Sequence, residues 1–434
     1  MNIQTPIQVE APRAPKQMNE LGLSQTFIRD HALKTALRLS VDSANRLARA
    51  LAVLLPIGNE VVELLRSENL VENMGEIRTQ YGIEIRLALT QRGRQQAEIA
   101  LSQSEAYGAL PVPLDDYRKQ IDRQLIKNIQ ISPPELDRAF ENLIINPMVP
   151  QKLGPAVNSG RSILLYGAPG NGKTSLINCI ADTVRSDIFV PRFVEIAGQV
   201  ISVYDDSVHG NPIIPEDDPT SLRSSTGSFD QRYYRCRRPV VITGGELKLA
   251  QLELNYNPVT KVYQAPLQFK AMSGIFVVDD LGRQTEPPQD LINRWIVPME
   301  EQKDVLTLSS GEKVSVPFDT LVMFSTNFHP KELFDGAALR RIQYKIKINS
   351  PSRDELLQVF LLVSKAKGID LPEEVLIRLF TERYPEIDNK YANFHAIFFM
   401  NQIQAMKKFR PDATVDEAMI DAAWENLFVE EELD

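Results

Sequence analysis

The chain has 434 residues, 43% of them hydrophobic, a formal net charge of −9 and two cysteines. That length can build two or three cores, and no window is both long and uncharged enough to suggest a membrane span. Without a basic start and apolar run after Met1, and with Cys179 and Cys236 reading as free thiols, the expectation is a soluble cytoplasmic protein in a reducing compartment. His31, His209, His329 and His395 are scattered without metal-ligand spacing, which argues against a zinc site.

Residues 1–20 read as a flexible tail, since Met1 to Gln17 is proline-rich and has no apolar period. Residues 21–106 then become periodic. Leu23 to Leu37, Val41 to Leu51 and Ile57 to Arg66 predict three amphipathic helices, Leu70 to Met74 and Ile83 to Leu89 two short strands, and Thr90 caps a closing helix. This succession, with Leu89-Thr-Gln-Arg-Gly-Arg94 at the last turn, resembles a winged helix-turn-helix domain. Many such domains read DNA, yet Leu21 to Glu105 holds ten Lys/Arg against ten Asp/Glu, and the third helix carries Glu60, Glu63 and Glu68 against Arg66. An acidic recognition helix repels phosphate, which favours a protein partner; Arg78, Arg86, Arg92 and Arg94 near the wing keep DNA as the alternative.

Residues 107–130 read as a linker, after which Ser132-Pro-Pro-Glu135 opens a capped helix. Ser162 to Tyr166 is a short apolar strand, followed at once by Gly167-Ala-Pro-Gly-Asn-Gly-Lys-Thr174 and a helix from Ser175. Glycines at this spacing let consecutive N–H groups turn inward on a triphosphate while the helix presents its positive end to the same anion. Gly167, Ala168, Pro169, Gly170, Asn171, Gly172, Lys173, Thr174 and Ser175 are therefore the candidate nucleotide-binding residues, with Lys173 on the β- and γ-phosphates of ATP and Thr174 on Mg2+.

Gly274 to Val278 predicts a buried strand ending in Asp279, a metal ligand, and Asp280, a base for the attacking water. Val305 to Pro317 reads as a hairpin about a Ser-Gly turn. Thr320 to Thr326 is a further apolar strand that would place the Asn327 amide beside the γ-phosphate. Arg340 or Arg341 then offers a cation to a phosphoryl group in a neighbouring subunit.

The set Gly167 to Thr174, Asp279-Asp280, Asn327 and Arg340-Arg341 resembles the AAA+ ATPases, with their Walker A, Walker B, sensor 1 and arginine-finger elements in this order. The resemblance implies an α/β core, a parallel sheet flanked by helices, over residues 131–349 and a helical lid over 350–434. It also implies ATP hydrolysis with Mg2+ in a homo-oligomeric ring of hexameric type. The hairpin before Asn327, and a β-rich insertion around 199–270 with an Asn-Pro turn in Asn255 to Tyr263, are similar to the MoxR-like branch. The chain departs from the family pattern at Asp280, where glutamate is usual, and in lacking a sensor 2 arginine near Tyr391 to Phe398.

Lys173 and Asp279 stand about 106 positions apart, room for a functional insertion. Phe193 to Gly198 reads as the second core strand, and Tyr204 follows where unfoldases carry a pore-loop aromatic; packing within its own loop is the other reading. Asn211 to Asp230 reads as flexible. The function expected is an ATP-driven chaperone or remodeller acting on a protein client. A DNA-associated ATPase using the winged helix and a nucleotide-gated scaffold with little hydrolysis are the alternatives.

Overall fold

The computed structural model describes residues 9–79, 82–184, 186–213, 229–411 and 413–428. Its centre is a five-stranded parallel sheet in the spatial order Tyr344–Lys347, Ile163–Tyr166, Leu321–Thr326, Ile275–Val278 and Val240–Thr243. The middle strands are buried along their length and largely apolar because both faces are covered. On one face Ile163, Leu165, Val277 and Met323 meet Leu176, Ile177 and Ile180 of the helix Lys173–Thr183. On the other, Phe276 and Phe324 pack around Trp295 of the helix Pro288–Glu301, with ring centroids 4.6 and 6.0 Å away. Fully burying a Leu, Ile or Phe is worth about 1.5–3 kcal/mol each, so these layers hold the sheet between them.

Register decides the site. Val278 lies opposite Phe324, and Thr326 lies opposite Tyr166. The residues that follow, Asp279, Asn327 and Gly167, therefore leave the sheet at one edge, its carboxyl end, where ligands gather in open α/β folds.

The second core strand is Val240–Thr243, parallel to Ile275–Val278, which corrects the assignment of Phe193 to Gly198. Phe193–Ile196 instead belongs to a second, mixed sheet in the order Asn255–Asn257, Val262–Gln264, Gln199–Ser202, Phe193–Ile196, Val112–Pro113. Its alternation of half-buried Phe193 and Glu195 with buried Val194 and Ile196 suits a sheet covered more on one face than the other. The β-rich insertion thus begins earlier than 199, with the antiparallel ribbon Asp187–Pro191 and Tyr233–Arg237, and the core strand divides it. Most of the expected flexible stretch, residues 214–228, lies outside the described residues. The expected hairpin forms as Lys303–Thr307 and Lys313–Pro317, and Leu306 and Val316 bury against the second sheet.

Two segments expected to be loose are packed. In the 107–130 stretch, Val112–Pro113 is the edge strand, and the helix Leu114–Arg123 buries Tyr117 and Ile121 in the same cluster. In the tail, Val9 and Ala11 lie against that cluster, Pro12 O accepts from Asp230 N–H at 2.9 Å, and Glu10 O accepts from the Gln120 amide at 3.1 Å. Proline-rich chain can pack as an extended strap with no helical or strand period to announce it. Residues 1–8 lie outside the described residues.

Toward the amino end, the helices Gln25–Leu39, Ala44–Ala50 and Leu55–Ser67 precede an antiparallel ribbon, Val71–Thr79 with Gly82–Leu89, and the helix Gln91–Gln103. Thr90 Oγ1 caps the last helix by accepting from Gly93 N–H at 2.9 Å. At the carboxyl end, Arg353–Lys367, Glu373–Arg378, Asn393–Phe409 and Glu417–Leu427 pack around Phe360, Phe399 and Trp424. No helix among the described residues is long and apolar enough to cross a membrane.

Candidate functional site

The carboxyl edge of the core sheet opens into a cleft of about 470 Å3 between the sheet and the carboxyl-terminal helices. Pro169 to Ser175 forms its floor. Gly170 and Gly172 adopt φ values of 75 and 83°, the left-handed region that lets the loop curl before the helix Lys173–Thr183 begins. A Cβ on Gly172 would meet nothing within 4 Å, while one on Gly170 would run into the Phe394 ring of the lid. Phe394 N–H also donates to Gly170 O at 3.0 Å, so the lid helix sits directly on the loop.

The polar side chains form two bonded groups, joined where Asp280 N–H donates to Asp279 Oδ1 at 3.1 Å. Lys173 Nζ donates to Gly167 O at 2.9 Å, Ala168 O at 3.0 Å and Asn327 Oδ1 at 2.7 Å. The Asn327 amide donates in turn to Asp280 Oδ1 at 2.8 Å. Thr174 Oγ1 donates to Asp279 Oδ2 at 2.8 Å, and Ser325 Oγ donates to the other Asp279 oxygen. Burial lowers the Lys173 pKa from its ordinary value, against the opposing pull of Asp280 and Asp279, so its ammonium is a poorly hydrated charge facing two carboxylates.

Asp280 has φ of 50°, in the left-handed region. Aspartate enters that region several-fold more readily than most residues because its short side chain bonds locally, which gives a physical reason for the departure from glutamate. Asn171 Nδ2 donates to Ser350 Oγ at 3.2 Å, while its buried Oδ1 has no hydrogen-bond partner among the described residues. Leu143, Ile145, Val359, Val363 and Ile397 form an apolar wall at the lid side.

The structure brings together Pro169 to Ser175, Asp279, Asp280 and Asn327, all lining this cleft, and ties Gly167 and Ala168 to it through Lys173. Arg340 and Arg341 do not line it. They end the helix Gly336–Arg341, where Arg341 pairs with Glu300 at 2.8 Å and Arg340 is exposed with no ion-pair partner among the described residues. Tyr204 matches the reading in which it packs within its own loop: its hydroxyl donates to Gly210 O, and its ring lies 5.3 Å from His209 and 4.4 Å from Tyr234.

Sequence reading missed Ser325, Arg283 and Phe394, which also line the cleft. Ser325 stands inside a strand recognised from its apolar run, and only the parallel register turns it toward Asp279.

The donor set fits a magnesium triphosphate. Thr174 Oγ1 and the Asp279 carboxylate are adjacent oxygen ligands of the kind Mg2+ takes, the space inside Gly172 is open, and the apolar wall suits a base.

A family described as domain of unknown function (DUF8689) matches residues 352–426, the lid helices. No curated protein sequence matches the chain. Among solved structures, the chain is similar to NtrX from Brucella abortus, with 12% identity and a TM-score of 0.38 over 76% of this chain and 62% of that one. The same protein in complex with ADP gives 12% and 0.38 over 75% and 64%. Domain III of the replication initiation protein DnaA from Thermotoga maritima gives 15% and 0.36 over 69% and 98%. The match therefore spans less than two thirds of the NtrX chains. The parallel sheet, the glycine loop at its carboxyl edge and the helical region above define an α/β core with a P-loop.

Proposed function

We propose that this chain is a cytoplasmic AAA+ ATPase, similar to the MoxR-like branch, that works as a hexameric ring to remodel a protein partner. The observation that carries the ATPase reading is the bonded chain Thr174–Asp279 and Lys173–Asn327–Asp280 at one cleft. A structural role alone gives no reason for a half-buried lysine, two carboxylates and an amide to converge where the backbone loops around open space.

In this reading ATP is the substrate. Gly170 to Thr174 and Lys173 hold its phosphates, and Leu143, Ile145 and Val363 its base. Thr174 and Asp279 would hold Mg2+, which supplies charge neutralisation of the phosphates when bound. Asp280 accepts a proton from water as the water oxygen bonds Pγ; the Pγ–O bond to ADP breaks, and ADP and phosphate leave. Asn327, bonded to both Asp280 and Lys173, keeps the base aimed at the lysine-bound phosphate end of the cleft.

Arg340 is the candidate finger, because Arg341 is held by Glu300 and neither reaches its own subunit's cleft. A group that completes a neighbour's site requires at least a second subunit, read here as the next subunit of a ring. The amino-terminal domain is read as a winged helix-turn-helix module for protein contacts, supported by exposed Glu63 and by Glu60 on Leu55–Ser67. Salt-sensitive DNA binding by the whole chain would instead favour the DNA-associated alternative.

The Asp280→Asn variant tests the proposal: it should bind ATP as the unaltered chain does, release no phosphate over many turnovers, and retain its protein partner in a pull-down with ATP. Undiminished phosphate release would remove Asp280 as the base.

A further inference from the structure

Lys173 and Arg283 are the cationic side chains that line the cleft. Lys173 is already bonded to the loop and to Asn327, whereas Arg283 is exposed and meets no carboxylate at ion-pair distance among the described residues. On the lid side, Phe394 and Ser350 touch the phosphate loop, and neither brings a charge.

The turn that carries Arg283 is tightly made. Asp280 at φ 50° and Gly282 at φ 107° reverse the chain straight after the strand. Arg283 N–H donates to Asp280 O at 3.0 Å, and Gly282 N–H donates to Gln284 Oε1 at 2.9 Å. The Gln284 amide donates to Gly244 O at 3.1 Å and to Asp279 O at 3.3 Å, which staples the turn to the ends of two neighbouring core strands. An exposed arginine on a mobile loop would point anywhere. This one starts from a backbone fixed to the same strand that delivers Asp279 and Asp280.

Resting on the ATPase reading, we infer that Arg283 is a further catalytic residue that acts within its own subunit, donating to the γ-phosphoryl oxygens of the bound triphosphate. Its planar fork of donors matches phosphoryl oxygens, and it keeps its proton throughout, so it stabilises charge while Asp280 handles the water proton. ADP lacks the group it contacts, so Arg283 separates triphosphate from diphosphate. The cleft thereby has a γ-phosphate cation on the acidic-strand side, where the lid supplies none.

The test uses the full chain with magnesium. Calorimetry measures the affinity for ADP and for a non-hydrolysable ATP analogue, and steady-state phosphate release measures turnover. Arg283→Ala should keep ADP affinity within about twofold while analogue affinity and turnover each fall roughly 10- to 100-fold, the loss expected for a charge-assisted contact. Arg283→Lys should recover part of both, and Gln284→Ala should weaken the analogue more than ADP. Mixing Arg283→Ala with Lys173→Ala subunits should restore nothing, because each carries its own damaged site. Unchanged analogue preference and turnover in Arg283→Ala would overturn the inference, and so would recovery on mixing, which would place the arginine on a neighbour's nucleotide. If the unaltered chain bound neither nucleotide, the ATPase reading would fall first and this one with it.

Discussion

Two glycines in the same loop make a controlled experiment, because alanine at either must enter the left-handed region but only one meets an obstacle. Gly170 and Gly172 have φ of 75 and 83°. The backbone cost of an L-residue there is about 1–2 kcal/mol at both. At Gly172 the new methyl meets nothing within 4 Å; at Gly170 it would stand 2.1 Å from Phe394 Cδ1 and 2.9 Å from Cγ. Overpacking of that kind typically adds about 1–3 kcal/mol, and the Phe394 ring, 39% exposed, has solvent to swing into, which places the excess at the lower end, about 1 kcal/mol. Amide hydrogen exchange of Asn393–Phe409 reads the result locally, since that helix is what must move. Gly170→Ala should speed exchange there about fivefold more than Gly172→Ala, and adding Phe394→Ala should erase the difference. Equal effects of the two alanines, with strict additivity in the Phe394 cycle, would refute the claim that the lid rests on the loop through this contact.

His31 is 1% exposed, contacts Gly108 O at 3.1 Å, and has its pKa pushed down to about 3 by burial and by neighbouring Lys34. Below about pH 6.5 the unfolded chain takes up a proton that the folded domain refuses. The stability that is complete above pH 6.5 should therefore fall toward pH 3 by up to about 1.4 kcal/mol per pH unit. His31 should show no NMR titration between pH 8 and 5, and His31→Gln should flatten the pH dependence of unfolding across that window. Thr174→Ala and Asp279→Asn should each raise the Mg2+ concentration needed for half-maximal phosphate release at least tenfold while leaving metal-free nucleotide binding nearly intact. Arg340→Ala should cut turnover by roughly 10³-fold, and Arg341→Ala, which loses an exposed pair worth under about 1 kcal/mol, should do far less. In the unaltered chain, turnover per subunit should rise with protein concentration; a flat response would argue against shared sites.

What was legible from the residues was local. The phosphate loop, the strands ending at Asp279 and Asn327, the hairpin at Lys303–Pro317 and the lid helices all carry their signal within a few consecutive positions. What was not legible depended on partners far along the chain. Phe193–Ile196 and Val240–Thr243 are both short apolar β segments, and which sheet each joins is decided by pairing with Gln199–Ser202 and with Ile275–Val278. Arg340 and Arg341 are indistinguishable as a dipeptide until Glu300, 41 residues earlier, holds one of them. Arg283 reaches the cleft only because Asp280 and Gly282 both take positive φ, which periodicity does not encode. The tail residues Val9 and Ala11 pack with no period at all.

The second sheet is assembled from scattered pieces: Val112–Pro113, Phe193–Ile196, Gln199–Ser202 and the Asn255–Gln264 pair, with Val9 and Ala11 packed against its core. During synthesis this layer has to wait until about residue 264 has left the ribosome, so the earliest residues remain exposed for more than half the chain. A fragment begun at residue 131 for crystallography or biochemistry would lack an edge strand and Tyr117 and leave the cluster around Ile188 and Phe189 uncovered. Residues 112–121 and the second sheet bury one hydrophobic cluster, so a fragment should keep both.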